Sequence, residues 1–367
     1  MRVGLDPRVR QRGSMRRRRR RQLRLVRTVL VAIVIIVVAV VITSGGGTHH
    51  SATNGPHTST SLAGGAQSST TATTAIAAPT AFTVAHLPAV LPQAVSRASV
   101  IAQGGQLVVL GGLHGRSPGT STTQVLTIDP SSGTAVVDAP LAVATHDAAA
   151  TTVGSAIVVF GGGEATTIDT VQQWRPSGSR VIGHLPHARS DVVAASVAGH
   201  AYVLGGFDGA GPSADVLETD DGITFHVAAT LPVPVRYPAI AVVGSTIYLL
   251  GGQSVSGPAG NGAPVTDIQA VDLATGSATL VGRLPGALTE ASAFAVRGAI
   301  FVAGGVRGGI VQRGVFRLDT ATGALTPVAT LPEPRADAAV AQIGDTTYLV
   351  GGEGPGRLSS VVALTPA

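Results

Sequence analysis

The chain repeats itself, and the repeat limits what it can fold into more than any other feature. Six apolar runs end in a glycine doublet: QLVVLGG, AIVVFGG, AYVLGG, TIYLLGG, AIFVAGG and TTYLVGG. The doublets are Gly111-Gly112, Gly161-Gly162, Gly205-Gly206, Gly251-Gly252, Gly304-Gly305 and Gly351-Gly352, at spacings of 50, 44, 46, 53 and 47 residues. Six or seven residues before each doublet stands another glycine (Gly105, Gly154, Gly199, Gly244, Gly298, Gly344) between two apolar runs, where a hairpin turn is expected. A period of this length marks an array of one supersecondary unit that cannot bury its apolar face alone.

After the doublets, the turn-forming phrases DPSSG, RPSGS, DDG, DLATG and DTATG predict a second hairpin. Its last strand runs into APL, HLP, TLP, RLP or TLP. Each unit is therefore four strands, a to d, with the doublet closing strand b. Strand b is apolar on both sides, as it must be if each unit packs face to face with two neighbours. The doublet gives backbone freedom where chains crowd together. A phosphate cradle is excluded, because no helix follows any doublet to supply an N-terminus.

Four-stranded units of 45–50 residues with Gly-Gly after strand b resemble kelch repeats, and the resemblance covers nearly all of residues 79–367. It implies an all-β fold, a six-bladed β-propeller. The aromatic pair usual after the kelch doublet is mostly absent, with Trp174 its clearest remnant. The N-terminal phrase TAFTVAHLP has the form of a d strand without strands a to c, and the chain ends after a lone c strand. Strand 80–86 is thus expected to pair with 358–364 and complete the sixth blade, which removes two open sheet edges.

The basic pI belongs to a tail. All cations are Arg, and twelve lie before residue 28 with one acid, so residues 1–27 carry +11 while the remainder carries −6. Next comes Thr28–Ser44, seventeen residues without a charge, at the short end of a bilayer span. Arg on its N-terminal side orients that end to the cytoplasm. We read residues 28–44 as a transmembrane signal anchor, a cleaved signal peptide being the rival, and the Arg run as a topology determinant, not a nucleic-acid site. Residues 45–78 are a Ser/Thr/Gly-rich linker that cannot bury enough surface to order itself. The propeller, 79–367, is then expected on the extracytoplasmic side of the cell membrane.

In a propeller the d–a and b–c loops share one face above the axial channel. The d–a positions fourteen to sixteen residues before each doublet hold Arg97, His146, Asp147, Arg189, Asp191, Arg236, Tyr237, Glu290, Arg335 and Asp337. The b–c loops add His114, Arg116, Glu164, Phe207, Asp208, Gln253, Arg307 and Glu353. Charged residues are only 12% of the chain, so their concentration here makes this face the candidate ligand site. Arg forks facing a funnel suit carboxylate or phosphate ligands. The alternative is that neighbouring Arg and Asp pair and stitch the blades together.

With no cysteine, Cys catalysis, Cys metal sites and the crosslinked cofactor of kelch-like copper oxidases are excluded. No G-x-S-x-G or H-E-x-x-H is present, and the HLPH phrase at 184–187 lies on a bend, so no catalytic residue, metal or cofactor is assigned. The leading expectation is a membrane-anchored binding module for a protein, peptide or anionic cell-envelope saccharide. The ring's residue types are similar to those of bacterial sialic-acid mutarotases, which implies the alternative: an enzyme acting on an acidic sugar. An intracellular scaffold is a third reading, should residues 28–44 not be inserted.

Overall fold

The computed structural model describes residues 76–254 and 262–367. The Arg-rich head, Thr28–Ser44 and nearly all of the linker lie outside them. No helix of the described residues is long and apolar enough to cross a membrane.

Six four-stranded antiparallel sheets form the blades of an all-β, six-bladed propeller. Blades 1 to 5 use consecutive a–d strands within 99–137, 149–184, 193–230, 239–283 and 292–330. Blade 6 takes Ala339–Ile343, Thr346–Val350 and Ser360–Pro366 as strands a to c, and Phe82–Val90 from the other end of the chain as strand d. The pairing is antiparallel and sets Thr83 opposite Thr365, Val84 opposite Leu364 and His86 opposite Val362. The N-terminal strand thus starts two residues later than the phrase suggests and runs on through the Leu-Pro bend, with a register shift after His86.

The core is six separate clusters, one at each interface between adjacent blades. Leu107, Val109 and Ile128 of blade 1 meet Val350 and Val361 of blade 6, while Val108, Leu110 and Val125 face Ile157, Val159 and Trp174 of blade 2. Alternate residues of one strand b therefore enter two different clusters, which is why these runs lack the polar alternation of a half-exposed strand. Trp174 is interior packing, its Nε1 donating to Ala139 O at 2.7 Å. At the c–d turns, Asp129, Asp221, Asp272 and Asp319 accept backbone N–H bonds two residues on at 2.8–3.0 Å. Short polar side chains there replace backbone partners the turn cannot supply.

The doublets join the blades. The second glycine N–H of each blade donates to a d–a carbonyl of the next: Gly112 to Thr145, Gly162 to Arg189, Gly206 to Val235, Gly252 to Leu288, Gly305 to Arg335 and Gly352 to Val95, all at 2.7–2.9 Å. The last bond closes the circle from blade 6 to blade 1. A Cβ on the first glycine would stand 2.1–2.6 Å from that same carbonyl, and one on the second 2.6–2.8 Å from a carbonyl of its own blade. All twelve doublet glycines have positive φ. The backbones approach too closely for any side chain, so the glycines are structural.

Candidate functional site

One residue from each d–a loop sits immediately ahead of strand a and faces the axis: Arg97, Asp147, Asp191, Tyr237, Glu290 and Asp337. Each is left-handed, with φ of 55°, 52°, 56°, 52°, 59° and 48°. Five backbone bonds link them head to tail: Asp147 N to Arg97 O, Tyr237 N to Asp191 O, Glu290 N to Tyr237 O, Asp337 N to Glu290 O and Arg97 N to Asp337 O, at 3.0–3.4 Å. The left-handed turn aims each N–H along the circle, and costs an L-residue about 1 kcal/mol or more. Glycine would adopt it more cheaply, so side chains retained here at every blade mark the ring as a place where side chains matter.

Together they line an axial cavity of about 120 Å³. Arg97 is its hub. Its Nη1 lies 3.0 Å from Asp147 Oδ2 and donates to the Tyr237 hydroxyl at 2.6 Å; its Nη2 lies 3.2 Å from Asp337 Oδ2, and its Nε 3.5 Å from Glu353 Oε1. The Tyr237 hydroxyl donates to Asp147 Oδ2 at 3.2 Å. Arg236 pairs with Asp191 at 3.2 Å, donates twice to Gln253 Oε1, and lies over the rings of Phe207 and Tyr237 at 4.9 and 5.3 Å. Tyr237 is thereby held between two guanidinium groups, since Arg97 also stands 5.3 Å from its ring centre.

The axis is acid-rich. Two guanidinium groups, Arg97 and Arg236, face the carboxyls of Asp147, Asp191, Glu290 and Asp337. Burial raises all four carboxyls above the usual carboxylate range, Asp191 to about 6 with help from neighbouring Asp147. Burial pulls Arg97 down, but Asp147 and Asp337 more than offset this and leave it raised; Tyr237 is raised by burial, then by Asp147 and Asp191.

Arg189 and Arg335, expected in the funnel, are not there. Both are 1% exposed and stand two residues before the ring position, which turns their side chains back under their own doublets. Arg189 donates to Gly205 O (3.3 Å) and Asp215 O (3.2 Å) and pairs with Asp215 Oδ2 at 2.9 Å. Arg335 repeats this with Gly351 O and Ser360 O and adds an ion pair to Glu333. In blade 2 the same task falls to Thr145, whose hydroxyl reaches Gly161 O at 3.0 Å. The task is to satisfy the carbonyl that the left-handed glycine strands.

The b–c loops surround the ring. Asp208 is exposed, its carboxylate accepting Ala210 and Gly211 N–H at 2.7 Å, and those bonds hold it below the usual carboxylate range. Glu164 is exposed, and Arg307 has a buried Nε without a hydrogen-bond partner. Glu353 accepts from Ser96 Oγ at 2.8 Å. Arg116 is exposed at a cavity of about 680 Å³, which Arg97, His146, Glu353 and Arg357 also line. His114 beside it is lowered by burial and then by Arg357.

Two participants escaped the sequence reading. Arg357 donates to Ser96 Oγ at 2.9 Å and to the Gly115 and Pro118 carbonyls, tying the loops of blades 6 and 1 together. It lies farther past its doublet than the residues sampled; reading whole b–c loops for cations would have found it. Ser121 lies 2.8 Å from His146 Nδ1, while the other ring nitrogen is 3.7 Å from Asp147 Oδ2. His146 is lowered by burial and then by Arg97. Ser121 and His146 border a third cavity, of about 300 Å³. No sequence spacing announces that contact.

No family model matches the chain, and no curated protein matches it. Among solved structures, one titled "Structure of YjhT" is similar with a TM-score of 0.62 at 14% identity, over 74% of this chain and 96% of that one. Identity at this level carries the fold and nothing about the ligand, so the propeller architecture is what the chain shares with YjhT.

Proposed function

We propose that this chain is a membrane-anchored, extracytoplasmic interaction module, a kelch-like propeller carried on the 45–78 linker from an anchor at Thr28–Ser44. Its partner is a protein or peptide that seats an acidic group in the top-face groove between the loops of blades 6 and 1. The engagement of Arg97 carries this reading. Its fork already serves Asp147, Asp337 and Tyr237, and the axial cavity beneath is about 120 Å³ and rich in carboxyls. An acidic sugar there would meet carboxyls and no free guanidinium. The larger space lies off the axis, beside the exposed Arg116.

The test is crosslinking of the full chain in intact cells, comparing the parent with Arg116→Glu. The expected result is a specific partner captured by the parent and lost at least tenfold in the variant, with the melting temperature unchanged. Equal capture by both would contradict the groove. A thermal shift with anionic sugars that Arg97→Ala abolishes would replace this reading with the sugar-directed enzyme. Protease shaving bears on topology: a propeller cleaved only after lysis would defeat outward display.

The Ser121–His146 contact favours a second, enzymatic reading, with Ser121 as nucleophile and His146 as base. Labelling by a fluorophosphonate probe, lost in Ser121→Ala, would support it. An unlabelled parent protein would leave the contact a plain structural bond.

A further inference from the structure

Away from the top face, blade 3 brings imidazole and carboxylate donors together. His200, Glu218 and Asp220 each offer an atom within 4.8 Å of the others'. His200 Nδ1 lies 3.2 Å from Glu218 Oε1 and 2.5 Å from Asp220 Oδ1, and His226 Nε2 lies 3.2 Å from Glu218 Oε2. Register produces the cluster. Glu218 on strand c (Asp215–Thr219) stands directly opposite Tyr202 on strand b and His226 on strand d, on one face of the sheet. His200 begins strand b, after the tight turn at Ala198 and Gly199, where φ is 53° and 92°.

The repeat serves as an internal control. The c–d pair that is Glu218 and His226 in blade 3 is Thr127 and Val136 in blade 1, and Gln173 and Arg180 in blade 2. Blades 4, 5 and 6 have no carboxylate or imidazole in that pair either. The residue after the a–b turn glycine is His only in blade 3. Packing the propeller therefore does not require His200, Glu218 or His226, and blade 3 departs from the repeat at these three positions together; Asp220 occupies a position that is Asp in blades 1, 4 and 5 as well, as Asp129, Asp272 and Asp319.

We propose that His200, Glu218 and Asp220, with His226 at the far oxygen of Glu218, bind a divalent first-row transition metal ion of the Zn²⁺ type. Mixed imidazole and carboxylate donors suit this class, whereas Ca²⁺ and Mg²⁺ take oxygen alone. Donors about 2.0–2.2 Å from a tetrahedral ion stand roughly 3.3 Å apart. The His200–Glu218 separation already matches. The His200–Asp220 separation must open, and Asp220, with its side chain 71% exposed just past the strand, has room to move. Tyr202 and His226 flank Glu218 and fix its orientation, as outer partners of metal ligands do.

The test is titration of the full chain with Zn²⁺ by calorimetry and with Co²⁺ by visible absorption, against His200→Ala and Glu218→Gln. Because the linker contains His49, His50 and His57, the readout is the difference in sites between parent and variants. The parent is expected to bind one more ion than either variant, to show the d–d bands of four-coordinate Co²⁺, and to melt higher with Zn²⁺. His226→Ala should weaken binding by about 10–100-fold. His200 is half exposed and Glu218→Gln keeps the shape of a largely buried side chain, so the metal-free melting temperatures should stay close to the parent's and show that the variants fold. Equal stoichiometry and affinity in the parent, His200→Ala and Glu218→Gln would overturn the site.

Discussion

Arg189 and Asp191 stand two residues apart in one loop and do different work. Arg189 stays under its doublet as a strut, while Asp191 turns into the axial cavity beside Arg236. Sequence could list both, because composition shows charge crowding the d–a loops. It could not orient them, because direction depends on the left-handed φ at the ring position, which an Asp or a Tyr does not advertise. The acid excess of the axis was hidden for the same reason: removing Arg189 and Arg335 turns four Arg against four carboxyls into two against four. Asp191 also sets a pH dependence. Burial raises its folded-state value to about 6, above the ordinary 3.8, so folding takes up a proton between those values. Its contribution favours the folded state at low pH and is lost as pH rises through about 6. Asp191→Asn should therefore melt higher than the parent at pH 8, with the gap narrowing towards pH 5. A variant less stable at pH 8 would mean that the Arg236 pair outweighs the cost of burial.

Strands were the most legible level. Each b strand, each a–b turn glycine and each doublet lies where the spacing predicts, because two-sided burial and backbone crowding dictate residue type directly. The short ribbons of the b–c loops, such as Leu113–His114 with Thr120–Ser121, were not legible, since two-residue strands leave no periodicity. Crowding at the doublets and open space at the a–b turns should separate two glycine substitutions. At Gly304 a methyl group would stand 2.1 Å from Arg335 O, whereas at Gly298 nothing lies within 4 Å and only the positive φ resists substitution. Gly298→Ala should cost about 1 kcal/mol, and Gly304→Ala at least about twice that, because a backbone carbonyl must move. Chemical denaturation of the two variants measures the difference. Equal losses would show that conformation alone, not blade-to-blade approach, selects glycine at the doublets.

For the molecule as a whole, the circle is closed by two strands far apart in the sequence, Phe82–Val90 and Ser360–Pro366. Phe82, in the borrowed strand, packs edge-on against Phe301 and Phe294 of blade 5, at centroid separations of 4.9 and 5.8 Å, so blade 6 is fastened to its neighbour by a residue from the far end of the chain. The axial ring exists only because this sheet completes the circle: Arg97 N bonds Asp337 O across the junction of blades 1 and 6. Strand-by-strand reading made the orphan d strand visible; the ring's geometry needed all six blades in place. The chain contains no cysteine, so a designed pair has no background. Thr83 and Thr365 are direct partners in the closing pair. The double variant Thr83→Cys, Thr365→Cys tests closure in a single measurement. Mild oxidation of the folded protein should give an intramolecular disulfide and a melting temperature above that of the reduced form. Thiols that stay free in the folded protein, or that crosslink only between molecules, would contradict the closed ring and the site built on it.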